Sequence, residues 1–314
     1  MAAYRHSSGL HSVTPGRGPG RPPGGGDPPG PRSGHERTRA RIRSYAEPWE
    51  VPVPEVTWWG HATCTVQDSG VRVLTDPLLT GRLAHLRRRG GPVPPADAAR
   101  EADVALVSHL HSDHLHLPSL AQLAPGTAVL LPRGALRAVP GLRRLPGLGL
   151  ELFEVAPGDE VRVGPVTVRA VPAEHDGRRL PFGSERAPAL GYVVSGEGVT
   201  YFAGDTSLFD GMESEIGPCD MALLPVGGWG PFLGPGHLNP HRAAEAARRI
   251  APRRSVPIHY GTFWPVGMGR VRRHEFQDPG RDFVRHAART APEVAVDLLL
   301  HGESASVDRR RAGR

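Results

Sequence analysis

Residues 109–114 constrain the fold of this chain more than any other stretch. They read His-Leu-His-Ser-Asp-His, so four side chains that can bind a metal ion occur in six positions. Imidazole and carboxylate groups suit zinc, iron and manganese. An apolar run typical of a buried strand, 102–108, precedes them, and a helix start with Pro118 in its first turn follows. The cluster is therefore predicted on a loop at a strand end, where α/β proteins place their chemistry.

The spacing within this cluster predicts two adjacent metal ions. On extended backbone His109 and His111 would share a face, because side chains alternate with period 2. Asp113 and His114 lie past the bend and can point to a second centre. The alternative is a set of unrelated polar histidines on a surface loop, a risk that every short motif carries. The density of ligand types favours the metal interpretation.

The basic residues are concentrated at the two ends of the chain. All 38 of them are arginine. Residues 1–46 hold eight arginines against Asp27 and Glu36, and residues 309–314 hold four more, so the net charge of +6 leaves −4 on residues 47–308. We therefore expect no nucleic-acid groove in this body. Residues 1–46 are rich in Gly, Pro and Arg with few large apolar side chains, which predicts a disordered tail.

The cellular location is predicted from cysteines and hydrophobic runs. Cys64 and Cys219 have no metal-like spacing and fit reduced thiols in an intracellular protein. The N-terminus lacks an apolar signal core, and no run approaches the ~18 apolar residues of a membrane span. We expect a cytoplasmic protein without a transmembrane segment, and peripheral contact of the basic tail with a lipid surface stays open.

Alternating β-rich runs and short helices are predicted from about residue 47. A hairpin turn at 67–70 joins the runs 56–66 and 71–75, and residues 79–101 are predicted to form a long loop. Further strands are predicted at 127–131, 150–155, 160–163, 165–171, 190–194, 199–203, 221–226, 255–264 and 294–300, and helices at 243–250, with Asn239 as N-cap, and 282–290. Five strand ends deliver His or Asp toward one rim, including those that carry His175, Asp205 and His259.

This series of motifs resembles the metallo-β-lactamase fold. The resemblance rests on residues 59–63, 74–77, 108–114 and 202–206 together with His175 and His259. Residues 258–263, His237 before a Pro-initiated helix and the closing 301–304 are similar to the branch of N-acylphosphatidylethanolamine-hydrolysing phospholipase D and ascorbate-6-phosphate lactonase. The resemblance covers about 54–306. It implies an α/β protein, an αββα sandwich forming one domain at 47–308, with tails at 1–46 and 309–314.

The resemblance also implies a ligand set for two zinc ions, with manganese or iron as alternatives. One ion would be held by His109, His111 and His175, and the other by Asp113, His114 and His259, with Asp205 as the bridge. Catalytic roles are implied for Asp113, Asp205 and His237. His61, Asp76 and His237 would lie behind the ligands or in the pocket, although His61 and His237 could also be polar surface residues.

Six further residues are expected around the substrate. Trp229, Tyr260 and Trp264 could shape a pocket, with plain packing as the alternative. Arg178, Arg179 and Arg186 are expected at its mouth, where guanidiniums suit phosphate oxygens, with solvated loop arginines as the alternative.

The resemblance implies a hydrolase that uses a hydroxide shared by two metal ions. The first hypothesis is a phosphodiesterase resembling phospholipase D, acting on a small or phospholipid-like diester. The second is a lactonase of the ascorbate-6-phosphate lactonase type. The third is a metal-binding protein without turnover. Asp205 stands where the β-lactamases of this fold use cysteine, which argues against antibiotic hydrolysis.

Overall fold

Two β-sheets stacked face to face form the centre of the structure. The computed structural model describes the backbone of residues 11–14 and residues 54–180 and 183–307. The first sheet has the spatial order Ser304–Ser306 (β18), Glu55–Gly60 (β2), Thr63–Asp68 (β3), Val71–Thr75 (β4), Val104–Leu106 (β7), Ala128–Pro132 (β8) and Glu151–Val155 (β9). Its central strands β4, β7, β8 and β9 are parallel.

The second sheet mirrors this arrangement. Its spatial order is His11–Thr14 (β1), Glu160–Val163 (β10), Val166–Pro172 (β11), Leu190–Ser195 (β12), Val199–Phe202 (β13), Met221–Pro225 (β14), Arg254–Ile258 (β15) and Ala295–Val296 (β17). Strands β13, β14, β15 and β17 are parallel, and the others pair antiparallel. A small third sheet contains Arg82–Leu83 (β5), Leu86–Arg88 (β6) and Phe263–Pro265 (β16).

Helices cover the outer faces of both large sheets. Beside the first sheet are Ala96–Arg100 (α1), Leu117–Leu120 (α2), Ala135–Ala138 (α3) and a 3-10 helix at Pro140–Leu148, and beside the second are Met212–Ile216 (α4), Pro240–Ile250 (α5), His274–Gln277 (α6) and Pro279–Thr290 (α7). Among the described residues, every helix is too short or too polar to cross a bilayer. Helix α5 begins as predicted, because the Asn239 side chain accepts a hydrogen bond from the Arg242 N–H.

Alternation along β7 shows why two layers of core form. Val104 and Leu106 pack in the cluster between the sheets, whereas Ala105 packs against the helices of the first sheet. A parallel strand buried on both faces reads as a continuous apolar run, as residues 102–108 do. The architecture is the αββα sandwich of the metallo-β-lactamase fold, and that prediction is confirmed.

Four predicted elements need correction. Residues 79–101 are not a plain loop, since they contain β5, β6 and α1. The runs 56–66 and 255–264 are each broken, at His61 and His259, where φ is +53° and +63°. The strand predicted at 294–300 is reduced to the two residues of β17. Apart from the backbone of β1, the segment predicted to be disordered, 1–46, and the basic tail 309–314 lie outside the described residues.

The two sheets are joined directly in front of the His cluster. The Tyr192 hydroxyl in β12 donates to the carbonyl of Val107 at 2.8 Å, and the Leu190 N–H donates to the carbonyl of Ser108 at 2.9 Å. Both acceptors directly follow β7 and belong to the first sheet's layer. These bonds fix the chain at the point where it leaves the sheet and begins the metal-binding motif.

Tyr192 and Tyr201 offer a matched test of that junction. Both side chains are fully buried, but the Tyr201 hydroxyl has no hydrogen-bond partner among the described residues. Tyr192→Phe should lower the free energy of unfolding by about 1–2 kcal/mol, because it leaves a buried carbonyl without its donor. Tyr201→Phe should leave it unchanged or raise it. Urea titrations of both variants measure the difference, and equal losses would contradict a role for the Tyr192 bond.

Candidate metal centre

The loops after several strands converge on one edge of the sandwich. The loop after β7 carries His109, His111, Asp113 and His114, and the loops after β11, β13 and β15 carry His175, Asp205 and His259. Their ligand atoms form four overlapping groups, and within each group all ligand atoms lie within 4.8 Å of one another. His61 and His237 also belong to these groups. The structure therefore brings together all seven residues that were expected to bind metal.

Hydrogen bonds on the side away from the cluster orient four of the imidazole rings. Nδ1 of His114 bonds to a carboxylate oxygen of Asp76 at 2.6 Å, and Nδ1 of His109 bonds to the Ser108 hydroxyl at 3.0 Å. Nδ1 of His175 and of His259 donate to the carbonyls of Gly236 and Gly227, each at 2.8 Å. Each of these four rings thereby directs its Nε2 into the cluster, an arrangement that metal-binding histidines use.

The inward-facing nitrogens crowd together. Nε2 of His109 lies 2.9 Å from Nδ1 of His111, which lies 3.1 Å from Nε2 of His175. On the other side, Nε2 of His114 and Nε2 of His259 are 3.1 Å apart. Burial lowers the pKa of His109 well below its usual value and that of His175 to about 4, so these rings are neutral at pH 7. Neutral imidazole is the form that binds metal.

Two carboxylates lie between these groups of rings. Oδ2 of Asp205 is 3.2 Å from Nε2 of His114, and Oδ1 is 3.3 Å from Nε2 of His259. Burial opposes ionisation of Asp205, but His259 and His114 hold its pKa well below the usual value. Asp113 is held ionised in the same way, again against burial, by His114. Both carboxylates therefore carry negative charge within reach of the cluster.

His61 lies behind Asp113 and does not line the cavity. It is 1% exposed, its Nε2 is 2.9 Å from Oδ2 of Asp113, and burial lowers its pKa to about 3. Its backbone N–H donates to the Thr262 hydroxyl at 2.7 Å, and its carbonyl accepts from the His259 N–H at 2.8 Å. The alternative of a polar surface residue is wrong for His61.

The backbone is strained at three points of the centre. His61, Asp76 and His259 have φ of +53°, +33° and +63°, a region that non-glycine residues rarely adopt. Such residues cost about 1–3 kcal/mol each and cluster at functional sites. Gly204, with φ of +59°, has no such cost, and a Cβ there would lie 2.5 Å from Cβ of Ser108. Glycine is required at that position so that Asp205 can approach the β7 loop.

His237 occupies the cavity side of the centre. Nδ1 donates to the carbonyl of Gly234 at 3.0 Å, and Nε2 lies 3.3 Å from Oδ2 of Asp205. Although burial opposes protonation, the hydrogen bond and charge of Asp205 raise the pKa of His237 to about 9. The side chain is 18% exposed and lines the cavity, so His237 is a pocket residue.

A cavity of about 490 Å³ opens above the centre. His111, Asp113, Asp205, His237 and His259 line it from the cluster, and its walls are mostly apolar. The wall residues come from the β5–β6 hairpin and from the loop after β14, and they include Leu83, Leu86, Trp229, Phe232 and Leu233. This hairpin lies within residues 79–101, which were predicted to form a loop.

Four of the expected substrate residues need correction. Tyr260 is stacked on Trp58 and lines a different cavity, and Trp264 is 2% exposed and donates to the carbonyl of Met268. Arg178 is bound to the carboxylate of Asp176, and Arg186 is paired through its backbone with Arg178. None of the four lines the cavity above the centre. Trp229 and Arg179 do line it, as expected.

Most of the hydrogen bonds that hold the proposed metal ligands in place were not predicted from the sequence. Ser108 bonds to both Asp76 and His109, and Thr262 holds His61. Carbonyls of Gly227 and Gly236 orient two of the rings, and a backbone carbonyl leaves no residue type to recognise. Ser108 was the one detectable signal, because it directly precedes the cluster.

The donor set fits bound metal ions. In a tetrahedral site with nitrogen ligands at 2.0–2.1 Å, neighbouring nitrogens are separated by roughly 3.3 Å, close to the separations observed here. The neutral imidazole nitrogens of His109, His111 and His175 cannot all satisfy one another, and the buried Oδ1 of Asp205 has no hydrogen-bond partner among the described residues. Divalent cations would satisfy these lone pairs. Histidine with carboxylate suits zinc, manganese and iron alike.

An αββα sandwich with this cluster at its edge defines a metal-binding protein of the metallo-β-lactamase fold. A protein-family model described as Beta-lactamase superfamily domain matches residues 71–260. A UPF0173 metal-dependent hydrolase of Methanopyrus kandleri is 33% identical over 259 residues, which cover 79% of this chain and 98% of that protein. The chain therefore belongs to the β-lactamase superfamily, as a metal-dependent hydrolase.

Two further similarities extend this assignment. The N-acyl-phosphatidylethanolamine-hydrolyzing phospholipase D 1 of Caenorhabditis elegans is 31% identical over 234 residues, which cover 67% of this chain and 64% of that protein. The solved structure of the metallo hydrolase Igni18 from Ignicoccus hospitalis has a TM-score of 0.58 at 19% identity, covering 80% of this chain and 97% of that one. The latter likeness shows the fold.

Asp205→Asn tests the expected bridge between two ions. The amide removes the negative charge between the two groups of rings, so the variant should bind fewer ions and lose turnover while its circular dichroism is unchanged. Elemental analysis after dialysis should give about two ions per chain for the original protein and fewer for the variant. Asp210→Asn, an exposed change on the same loop, is the matched control. Equal metal content in all three proteins would contradict the bridging role.

Proposed function

We propose that this protein is a dinuclear metal-dependent phosphodiesterase, similar to phospholipase D, whose substrate is an anionic diester with an apolar arm. The proposed ligands are His109, His111 and His175 for one ion and Asp113, His114 and His259 for the other, bridged by Asp205. Bound ions would supply Lewis acidity and lower the pKa of water toward neutrality. Zinc is the proposed metal, with manganese or iron as alternatives, and a cytoplasmic location is proposed from the composition.

The observation that carries this proposal is a basic rim, a set of exposed arginines in and next to the segments that supply one wall of the apolar cavity. Six exposed arginines lie in or next to β5 and β6 or in the loop after β16: Arg82, Arg87, Arg89, Arg270, Arg272 and Arg273. None of them lines the cavity itself, and Arg89 and Arg273 line a separate pocket. Residues 80–96 and 263–274 contain no acidic residue, although residues 47–308 carry a net −4. Glu275 directly follows the second segment and is paired with Arg272. Clefts surrounded by one sign of charge attract ligands of the opposite sign. This rim favours an anionic substrate and replaces the support once expected from Arg178 and Arg186.

The apolar walls favour a substrate with a hydrophobic portion. The rim is continuous with them, since Arg272 lies over the Phe232 ring at 5.1 Å and the Val266 N–H donates to the carbonyl of His85. Phe232 is 73% exposed and Leu180 is 59% exposed, and both line the cavity. An exposed aromatic residue beside arginines suits an amphipathic molecule. The similarity to an enzyme named for a phospholipid substrate supports the same class.

His237 and the carboxylates have proposed roles on the substrate. With Nδ1 fixed on the carbonyl of Gly234, His237 presents Nε2 to the cavity next to Asp205, where it can donate to a substrate oxygen. Asp113 and Asp205 stay ionised and provide the charge that holds two cations close together. The apolar walls exclude water from the scissile bond.

A lactonase is the second candidate, and one observation favours it. Among the described residues, Arg179 is the single guanidinium that lines the cavity, and its Nη1 is already bonded to two backbone carbonyls. The part of the cavity next to the metal centre therefore offers few groups besides the metal ions that could bind a phosphate. A neutral lactone would fit the apolar walls. A non-catalytic metal-binding role is disfavoured, because a scaffold does not need a cavity over its ions.

Paired substrates separate the two candidates. With zinc or manganese added, kcat/KM should be higher for chromogenic phosphodiesters than for lactones of the same size. It should rise with the length of the apolar arm, by up to roughly fourfold per buried methylene. Raised ionic strength should lower it for the diester only, because it screens the rim.

Variants of the rim provide the control for that comparison. Arg87→Gln with Arg270→Gln should reduce kcat/KM for the diester and leave lactone turnover unchanged. Arg289→Gln, an equally exposed change at the end of α7, should alter neither. Faster turnover of lactones, insensitive to salt and to the rim variants, would contradict the phosphodiesterase proposal in favour of the lactonase.

A further inference from the structure

The Arg179 guanidinium connects the loop that carries three of the proposed ligands to the segment after β11. Nη1 of Arg179 donates to the carbonyl of Leu110 at 2.5 Å and to the carbonyl of Leu115 at 2.9 Å. An arginine Nη carries two N–H groups, so both hydrogens of this nitrogen are used. The two carbonyls lie at the ends of a six-residue loop, and His111, Asp113 and His114 lie between them.

The loop is anchored through its ends. The side chains of Leu110 and Leu115 are fully buried in the core beside the first sheet, and the N–H groups of His114 and Leu115 both donate to the carbonyl of His111. This single turn reverses the chain, so that Asp113 and His114 point toward the same centre as His109. A rotation of the Leu110 carbonyl would turn His111, because the two share a peptide unit, and the bond to the Leu115 carbonyl fixes the other end of the loop directly after His114.

Arg179 is itself held in place. Its backbone N–H donates to the carbonyl of Glu185 at 3.3 Å, and the Ala187 N–H donates to the carbonyl of Gly177 at 3.0 Å. A Cβ at Gly177 would lie 1.8 Å from the carbonyl oxygen of Ala187, so only glycine permits this pairing. The neighbouring Arg178 points elsewhere and binds Asp176. The two arginines therefore have different surroundings although they are adjacent in the sequence.

We propose that Arg179 is a positioning residue of the metal centre. It holds residues 110–115 in the conformation that directs His111, Asp113 and His114 at the ions, and it acts through this loop. The phosphate-binding role expected from the sequence is thereby replaced. The inference rests on the proposed metal centre and is independent of which substrate is hydrolysed.

Zinc affinity of the full chain tests this role, measured by competition with a chromogenic chelator. Arg179→Gln should weaken zinc binding by roughly 10- to 100-fold, as loss of a contact behind metal ligands does. Arg179→Lys should recover part of the loss, because an ammonium can still donate to both carbonyls. Arg178→Gln is the matched control and should leave zinc affinity unchanged. If Arg179→Gln does not fold, Arg179→Lys against Arg178→Gln carries the comparison.

Kinetics of the zinc-saturated variants provide the second readout. A positioning role predicts that Arg179→Gln lowers kcat by the same factor for a phosphodiester and for a neutral lactone, with KM unchanged. Unchanged zinc affinity with a higher KM for the diester alone would overturn the proposal and make Arg179 a substrate-binding residue. An equal loss of zinc affinity in Arg178→Gln would also overturn it. Failure of the original protein to hydrolyse diesters would contradict the proposed function without affecting the zinc comparison.

Discussion

The structure depends on burying a group of ionisable side chains that satisfy one another only in part. His109, His114 and His259 are almost completely buried, together with Asp113 and Asp205. Removing such groups from water is unfavourable unless each finds a partner. Their outward atoms find partners in hydroxyls, carbonyls and a carboxylate, whereas their inward atoms face one another. Cations in the middle of the cluster would complete the set, which links the fold to metal binding.

This requirement explains features that would otherwise be unfavourable. His61, Asp76 and His259 each follow a strand directly, and their positive φ turns the backbone sharply at that point. Their side chains therefore point across the edge of the sheet. Hydrogen bonds from neighbouring loops hold each turn. The strain is local, and the cost is offset by the apolar core that the two sheets share.

The fold was predictable because its signals are local and repeated. Apolar runs that end in His or Asp marked the strands, and Asn239 with Pro240 marked the start of α5. The ligand set was predictable in the same way, since most of its members follow a strand directly. Short strands such as β5 and β6 were not predicted, because two or three residues among arginines and glycines are too few to show an alternating hydrophobic pattern.

The surroundings of the cavity were less predictable because they depend on which way a side chain turns. Tyr260 and Trp264 follow His259 closely in sequence, yet both pack away from the cavity. Arg178 and Arg179 are adjacent, and one binds a neighbouring carboxylate while the other reaches the opposite loop. Adjacent residues in extended backbone point in opposite directions, so a shift of one position decides which of them meets the site.

The separation of the ligands along the chain has a consequence for how the protein matures. His109 follows β7 of the first sheet, and His259 follows β15, one of the last strands of the second. Contacts this distant in sequence form late, because a long loop must close before they contribute. The centre can therefore be completed only after both sheets have paired and docked. A metal ion bound there would act as an internal cross-link between the two halves of the molecule, since its ligands come from both sheets.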